Sequence, residues 1–316
     1  MSNERGSAVT VAAGLAVAGI FGFSFIFTKR VLGYIAPPDL LALRFVAAAS
    51  AMTAMAAAGL IRIDLTRRRW VKLLPLAVVQ PVLYFLCESY GVKLTAASEA
   101  GAIIGTIPVA VAVLAAVCLR ERPGALQIVS ILASSAGVAI MAAGGGFGRG
   151  RLAGILLLFG AVLAAGIYSV LSRSQSREFK PMEITMVMMW TGACAFTLMA
   201  FGGHWLMGTR PPFAALARPA VWIAVLYLGL LSSVAAFFLV NFLLGRLEAA
   251  RTMVYTNLTT LVSVLAGVFV LGESFRWHQG IGGALILLGV FGINRFRPDR
   301  AAKAGAEPAP PAALGV

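Results

Sequence analysis

The sequence contains few charged residues and few of the side chains that enzymes use for chemistry. Only 12% of its 316 residues are Asp, Glu, Lys or Arg, and it has two histidines. It contains no HExxH sequence, nucleotide-binding loop, clustered carboxylate motif or haem-spaced histidine pair. These absences argue against an enzyme, an ATP-driven pump and a metal site. We therefore expect no enzymatic activity, no cofactor and no metal.

Cysteine is also scarce. Cys87, Cys118 and Cys194 lie in apolar runs and have no CxxC spacing. Small apolar surroundings favour packing over disulfide or metal chemistry. The sequence therefore predicts three core cysteines without bridges.

Apolar residues, in contrast, make up 60% of the chain, which is more than a soluble domain of this length can bury. Ten apolar stretches of roughly 18 to 25 residues recur, each long enough to cross about 30 Å of hydrocarbon. They cover residues 8–30, 39–60, 71–91, 96–119, 124–143, 152–173, 182–203, 219–243, 249–271 and 277–296. The sequence predicts an all-α integral membrane protein with ten transmembrane helices.

The net charge of +14 is distributed unevenly between the two sides. With the N-terminus inside, the cytoplasmic loops hold about twice as many Lys and Arg residues as the outer loops. This bias predicts cytoplasmic termini, and it makes the charge an orientation signal rather than a nucleic-acid-binding surface. His204 and His278 then fall in outer loops. Arg44, near the outer end of the second span, is expected to snorkel to the interface.

One segment of the sequence occurs twice. Ala115–Pro123 is similar to Gly267–Phe275, and the alignment places Glu121 on Glu273 and Gly137 on Gly289. Each glutamate ends one apolar run just before the next, a position that suits a helix cap. A duplicated membrane segment is typical of transporters built from two related halves.

The earlier parts of the two halves also align. Pro38–Asp39 matches Met182–Glu183, so spans one to five and six to ten form the repeats. An odd number of spans in each repeat inverts the second one in the membrane. The predicted domains are a first repeat at 1–143, a Gly-rich external connector at 144–151, a second repeat at 152–297 and a disordered cytoplasmic tail at 298–316.

Several motifs occur in a fixed order along the chain. They are F-G-F-S-F at 21–25, P-P-D-L-L-A-L-R-F at 37–45, T-I-P and V-C-L-R-E-R within 106–122, L-E-A-A-R at 247–251, V-L-G-E-S at 270–274 and G-G-A-L-I-L-L-G-V at 282–290. Together they resemble the drug/metabolite transporter superfamily, in its EamA-type ten-helix branch. The chain departs from that pattern at one position, because Thr260 stands where the second copy commonly has the proline seen as Pro108.

The resemblance implies a secondary transporter of the inner membrane. Its substrates would be small organic solutes such as amino acids, metabolites or drugs, usually exported and often in exchange for protons.

The fourth and ninth spans carry one group of candidate residues. Gly105 and Pro108 predict a break near the middle of span 4 that could act as a hinge. Thr106 lies between them, and Asn257 and Thr260 are the corresponding residues to Gly105 and Pro108 in span 9. These polar side chains are candidates for substrate binding, and close packing with interhelical hydrogen bonds is the alternative.

The third span carries a polar face. Gln80, Tyr84 and Glu88 follow one another at intervals of four residues, which places them on one side of a helix. A carboxylate inside the membrane costs several kcal/mol unless it faces water or a partner. Glu88 is therefore a candidate proton acceptor or counter-ion to a substrate amine. Contact with headgroup water or with Lys93 is the alternative.

Further polar residues complete the candidate substrate site. Ser232 in span 8 aligns with Gln80, and Tyr227 lies about one turn outward from it. Tyr168 in span 6 aligns with Ser24 in span 1. We expect a central cavity between spans 1, 3, 4, 6, 8 and 9, with spans 2, 5, 7 and 10 outside it.

These observations predict alternating-access transport of a small-molecule substrate, with coupling to protons left open. The expected surroundings are membrane lipid, and the expected state is a monomer or weak dimer without nucleic acid. An antiporter of phosphorylated solutes or sugar nucleotides is one alternative, disfavoured because no basic residue lies near the middle of a span. A receptor or scaffold is another, disfavoured because it has no need for two opposed halves.

Overall fold

The computed structural model describes residues 2–64, 70–94, 103–119, 124–142, 151–209, 216–271 and 277–295. These residues form helices joined by turns, and no strand occurs among them. The prediction of an all-α fold is thus confirmed for this part of the chain. The predicted caps Glu121 and Glu273, most of the connector and the C-terminal tail lie outside it.

Two of the helices, α3 and α8, contain segments of 3₁₀ or π winding and are given as consecutive segments. The helices are α1 (Ser2–Val31), α2 (Pro37–Ala57), α3 (Val71–Leu73, Leu74–Ala77, Val78–Leu83 and Tyr84–Leu94), α4 (Ile107–Cys118), α5 (Ala125–Ala142), α6 (Arg151–Gln175), α7 (Pro181–Met207), α8 (Pro219–Leu226, Tyr227–Ala235 and Ala236–Leu244), α9 (Ala249–Leu271) and α10 (Trp277–Arg295).

Six stretches of the described residues are long and apolar enough to cross a membrane. They are Ala8–Thr28, Pro37–Ala57, Val71–Gly91, Leu152–Gln175, Pro181–Met207 and Pro219–Leu244. Shorter apolar segments, Ile107–Cys118, Ala125–Gly137 and Gly280–Gly289, lie in α4, α5 and α10. The count of ten complete spans therefore stays a prediction.

Helices α2 and α7 begin in the same way. Pro37 opens α2 with Asp39 in its first turn, and Pro181 opens α7 with Glu183 at the same place. Proline suits a first turn because its missing N–H is not needed there. The Glu183 carboxylate accepts a hydrogen bond of 2.9 Å from the Lys180 backbone N–H, where a negative charge stabilises the helix end. These are the acidic residues that the sequence alignment pairs.

Helices α3 and α8 each contain a π-helical segment. The segment in α3 is Val78–Leu83, and Gln80 within it has extended backbone angles, with φ −142° and ψ 120°. Pro81 follows directly and supplies no N–H for the helix ladder. The segment in α8 is Tyr227–Ala235, and it includes Ser232 and Ser233, which align with Gln80 and Pro81. The third helix of each half is therefore wound as a π-helix at the corresponding place. The change of winding leaves main-chain N–H or C=O groups without their usual helical partners near candidate site residues.

The helices of the two halves pack against one another. Helix α2 packs on α7 and α8, and α7 packs on α3. Helix α1 packs on α8 and α9, while α6 packs on α3 and α4. The contact of α4 with α9 and that of α5 with α10 join helices that hold the same place in each half. Most of the largest apolar core lies between α2, α3, α6, α7 and α8, with Phe45, Phe196, Met188 and Leu243 fully buried.

Close approach of α5 and α10 depends on two glycines. A Cβ atom on Gly137 would lie 2.5 Å from the main-chain oxygen of Gly282, and one on Gly289 would lie 2.5 Å from that of Ser130. The sequence alignment pairs Gly137 with Gly289. Each helix thus uses its glycine to admit the backbone of the other, as small residues do at membrane helix crossings.

The cysteines differ from their prediction. Cys118 and Cys194 are exposed and Cys87 is partly buried. Two of the three therefore face outward from the helices rather than into the core, which costs little for an apolar side chain in a lipid-facing position.

Candidate functional site

The π-helical segment of α8 packs on α2, and that of α3 packs on α7. Arg44 on α2 makes two hydrogen bonds to the segment of α8. Its Nε donates to the Ser233 hydroxyl at 2.7 Å, and its Nη2 donates to the Ser232 hydroxyl at 2.9 Å. The side chain is 6% exposed. The expectation that Arg44 snorkels to the interface is wrong, because the neighbouring helices enclose it.

Two aromatic rings complete the surroundings of this guanidinium. Its Cζ lies 4.5 Å from the ring centroid of Phe85 and 5.6 Å from that of Phe45. A cation over an aromatic face is attracted to the ring, most strongly where water is excluded. Arg44 therefore joins α2, α3 and α8 around one positive charge. Helix α2 contributes to the interior as well as to the outside.

Tyr84 and Glu88 lie beside this cluster. The Tyr84 hydroxyl donates to Glu88 Oε1 at 3.2 Å, and both side chains interact electrostatically with Arg44. Both are partly buried. In the part of the chain that the structure describes, the carboxylate is partnered by Tyr84 rather than by Lys93, which is exposed. The predicted residues Tyr84 and Glu88 of α3 and Ser232 of α8 are thus brought together through Arg44.

Gln80 lies at the break in α3 and is 6% exposed. Its Oε1 is buried and has no hydrogen-bond partner among the described residues. Leaving a buried acceptor unsatisfied costs about 1 to 3 kcal/mol, so such a group calls for an explanation.

A second polar cluster lies toward the other ends of α6, α7 and α8, with Asn241 at its centre. Its Oδ1 accepts hydrogen bonds from Tyr168 at 2.9 Å and Ser172 at 2.7 Å, and its Nδ2 donates to Thr185 at 3.1 Å. All four side chains are at most 2% exposed. Tyr168 is therefore committed to interhelical hydrogen bonding in this form of the protein.

Three predicted residues, on α1, on α8 and just before α4, donate hydrogen bonds to main-chain carbonyls. The Ser24 hydroxyl donates to the Phe21 carbonyl of its own helix at 2.7 Å. The Tyr227 hydroxyl donates to the Ile20 carbonyl at 2.9 Å, which ties α8 to α1. The Thr106 hydroxyl donates to the Ile103 carbonyl at 2.6 Å.

The proline of span 4 does not lie in the middle of a helix. Helix α4 starts at Ile107 with Thr106 as its N-terminal cap residue, so Pro108 occupies the first turn. Gly105 and Thr106 form a turn between Ile104 and this helix. The predicted break is present, but its physical cause is a new helix start, where proline costs nothing.

The candidates on α9 are separate from the Arg44 cluster. Asn257 Nδ2 donates to the Ser134 hydroxyl on α5 at 2.9 Å, and Asn257 is 1% exposed. Thr260 lies in α9, but its side chain is outside the described part of the structure. For Asn257 the geometry corresponds to the alternative of close helix packing with an interhelical hydrogen bond, rather than to substrate binding.

The histidines also differ from their prediction, since both lie in helices. His204 lies in the last turn of α7, where its Nε2 is 2.9 Å from Asp39 Oδ1 on α2. His278 lies in the first turn of α10. The ends of α2 and α7 are therefore joined by a polar contact that sequence reasoning missed.

The comparisons with known proteins agree with this architecture. The model of the EamA-like transporter family matches residues 8–143 and again residues 152–295. The chain belongs to the EamA-like transporter family. It is an integral membrane protein and a transporter, and the family domain is present twice.

Two relatives illustrate the range of this transporter family. The chain is 34% identical over 278 residues to "Uncharacterized transporter YcxC" of Bacillus subtilis (strain 168), covering 87% of this chain and 89% of the relative. It is 29% identical over 212 residues to "Probable terminal-alkyne amino-acid exporter" of Streptantibioticus cattleyicolor, covering 67% and 69%. A crystal structure at 20% identity has the same fold, with a TM-score of 0.74 over 90% of this chain and 98% of that one.

Three residues of this EamA-type transporter were missed or misjudged as site residues: Arg44, Ser233 and Asn241. Asn241 is an isolated polar residue in the long apolar run of α8, which was a usable signal, and Ser233 directly follows the predicted Ser232. For Arg44, its position near the end of the span predicted contact with the membrane interface. That prediction was wrong because the burial of Arg44 depends on the neighbouring helices.

Proposed function

We propose that this protein is a secondary active transporter that exports small organic solutes by alternating access, with proton exchange as its driving reaction. The observation that carries the proposal is the pair of buried polar clusters, around Arg44 and around Asn241, on helices that correspond between the halves. A polar interior among membrane helices marks a solute or ion pathway.

The arrangement of the halves as inverted five-helix repeats is part of this proposal. Two matches to one family domain support it, as do the interhelical contacts, which occur in corresponding pairs. The contact of α1 with α9 corresponds to that of α6 with α4, and the contact of α2 with α8 corresponds to that of α7 with α3. Rocking of such repeats against each other exposes a central site to either side in turn.

The residues of the Asn241 cluster are more deeply buried than the residues of the first half that align with them. Tyr168 and Ser172 are 2% and 0% exposed, whereas the residues aligned with them, Ser24 and Thr28, are only partly buried. Asn241 is fully buried, whereas the aligned Ser89 is partly buried. With the termini in the cytoplasm, as the loop charges favour, this difference corresponds to a form closed on the cytoplasmic side and more open outside.

Amino acids are our leading substrate class. Support comes from the relative that is named an amino-acid exporter, and from a cluster that presents both a guanidinium and a carboxylate. The protein would act in the inner membrane as a monomer or weak dimer. Anionic solutes are no longer disfavoured, because Arg44 supplies a buried basic side chain in α2.

Flux through reconstituted protein tests the proposal. Liposomes containing the purified transporter would be screened with labelled amino acids, metabolites and organic cations, with and without a pH gradient. We expect saturable flux of at least one amino acid that accelerates with the gradient, absent from protein-free vesicles. Absence of flux for every solute under both conditions would contradict the proposal and favour a receptor or scaffold.

A further inference from the structure

Arg44 presents more hydrogen-bond donors than its protein partners use. A guanidinium has five N–H donors in a fixed planar fork. The Nε and Nη2 atoms donate to Ser233 and Ser232. Among the described residues, Nη1 makes no hydrogen bond, and Nη2 keeps one further N–H. The unused donors therefore lie along the end of the fork formed by Nη1 and Nη2.

The two serines fix which edge of the fork stays available. They follow each other in the π-helical segment of α8 and together occupy the side edge of the guanidinium. Phe85 and Phe45 lie against it and restrict its rotation. Because the end edge is held in place with parallel N–H groups, it has the geometry that binds a carboxylate through both oxygens.

Among the residues that the structure describes, no carboxylate contacts the charged group of Arg44. Its hydrogen-bond partners are neutral hydroxyls, and Glu88 acts on it only electrostatically while its Oε1 accepts from Tyr84. A cation among membrane helices is costly unless an anion or water approaches it. Tyr84 and Glu88, on this side of the cluster, are only partly buried.

We propose that the end edge of Arg44 binds the carboxylate of the transported solute. The substrate class is then small carboxylates with an apolar part that packs on Phe85 and Tyr84, amino acids included. Organic cations without a carboxylate are excluded. Ser232 and Ser233 are positioning residues, since they act through Arg44. This inference rests on the proposed transport function and narrows its substrates.

The test compares carboxylates with their carboxamides in liposomes. Probes are the labelled amino acids and 3-phenylpropionate on one side, and the corresponding carboxamides and tetraphenylphosphonium on the other. With the wild-type protein we expect saturable flux above that of protein-free vesicles for the carboxylates only. Arg44→Gln should raise KM for the carboxylate by about 10- to 100-fold, in line with the loss of charged hydrogen bonds, and should abolish the preference over the carboxamide.

Two further variants separate binding from folding. Ser232→Ala combined with Ser233→Ala should raise KM with kcat largely retained, because the guanidinium remains but is less well oriented. Arg218→Gln removes an arginine that lies over the Tyr34 ring away from the site, and it should match the wild type. If Arg44→Gln fails to fold, two measurements still test the proposal. They are the flux of carboxylates against carboxamides in the wild type and the KM of the double serine variant.

The outcomes distinguish this inference from the proposed function. Equal flux of carboxylates and carboxamides, or of tetraphenylphosphonium alone, overturns the role of Arg44 while transport stands. If Arg44→Gln still prefers the carboxylate to the carboxamide as strongly as the wild type, the role of Arg44 is likewise overturned while transport stands. No flux of any probe, with no thermal stabilisation of the detergent-solubilised protein by any carboxylate, overturns both.

Discussion

The phenol of Tyr168 on α6 donates a hydrogen bond of 2.9 Å to the side-chain oxygen of Asn241 on α8, and both side chains are buried. Ser172 donates to the same oxygen, and Thr185 on α7 accepts from the amide. One amide thus links three helices. We interpret this link as the closure of one side of the transporter.

Replacing this amide should open that side. Asn241→Leu leaves the hydroxyls of Tyr168 and Ser172 without their acceptor, at a cost of about 1 to 3 kcal/mol to the closed form. We expect the conformational equilibrium to shift by about 5- to 150-fold toward the open form. Distances between spin labels on the cytoplasmic ends of α6 and α8 would measure the shift.

A matched pair of serines on α6 provides the control. Ser169 and Ser172 are both fully buried, but Ser169 donates to the Ala165 carbonyl of its own helix. Ser172→Ala should shift the label distances in the same direction as Asn241→Leu, and Ser169→Ala should not. Equal effects of the two serine variants would argue against a gating role for Asn241.

The glycines at the α5–α10 crossing should tolerate no added methyl group. Gly137→Ala or Gly289→Ala would place a Cβ atom 2.5 Å from a main-chain oxygen of the other helix. Overpacking of this kind costs about 1 to 3 kcal/mol. We expect a lower melting temperature in detergent for each variant.

Gly203 in α7 is the matched control for these substitutions, because a Cβ atom there would meet nothing within 4 Å. Alanine also favours the helical state over glycine. Gly203→Ala should therefore leave the melting temperature unchanged or raise it. A fall as large as that of Gly137→Ala would show that the crossing is not the cause.

Removing the Glu88 carboxylate should uncouple transport from the pH gradient. The charged and titratable groups that interact with Glu88 are Arg44 from α2 and Tyr84 from its own helix. Glu88→Gln keeps the shape and the contact with Tyr84 but cannot exchange a proton. We expect the gradient-driven rate to fall to the rate without a gradient, while solute exchange across the membrane continues.

Flux measurements at several pH gradients would check this uncoupling. A Glu88→Gln protein that still responds fully to the gradient would remove Glu88 from the coupling role. Loss of exchange as well as of gradient-driven flux would instead assign Glu88 to solute binding.

Gln80 should show a conflict between stability and function. Its buried Oε1 has no partner among the residues that the structure describes, so Gln80→Leu removes an unsatisfied acceptor. We expect a melting temperature at or above that of the wild type and reduced transport. Thermal unfolding and liposome flux on the same preparation would test both. A clear loss of stability would show that the amide is needed for packing.

Much of the fold follows from local patterns in the sequence. Apolar runs, prolines at the starts of α2 and α7 and the paired glycines Gly137 and Gly289 indicate helices and related halves before any contact is known. The start of α4 was harder to place, because a proline in an apolar run suits either a kink or a first turn.

The candidate site was less predictable, because burial depends on several helices at once. Tyr168 and Tyr84 could be identified as polar residues in apolar segments. The partners of Tyr168, and the enclosure of Arg44 by Phe85 and two serines of α8, depend on distant parts of the chain. A single sequence contains no local signal for such contacts.

The way the helices pack also decides how the two family domains relate as folding units. Most helices of each domain pack against helices of the other domain. Helix α1 packs on α8 and α9, α6 packs on α3 and α4, and α2 packs on α7 and α8. A fragment ending before residue 152 would leave those faces uncovered. The duplicated unit is thus a unit of sequence alone, and two separately produced fragments should become stable only when they assemble with each other in one membrane.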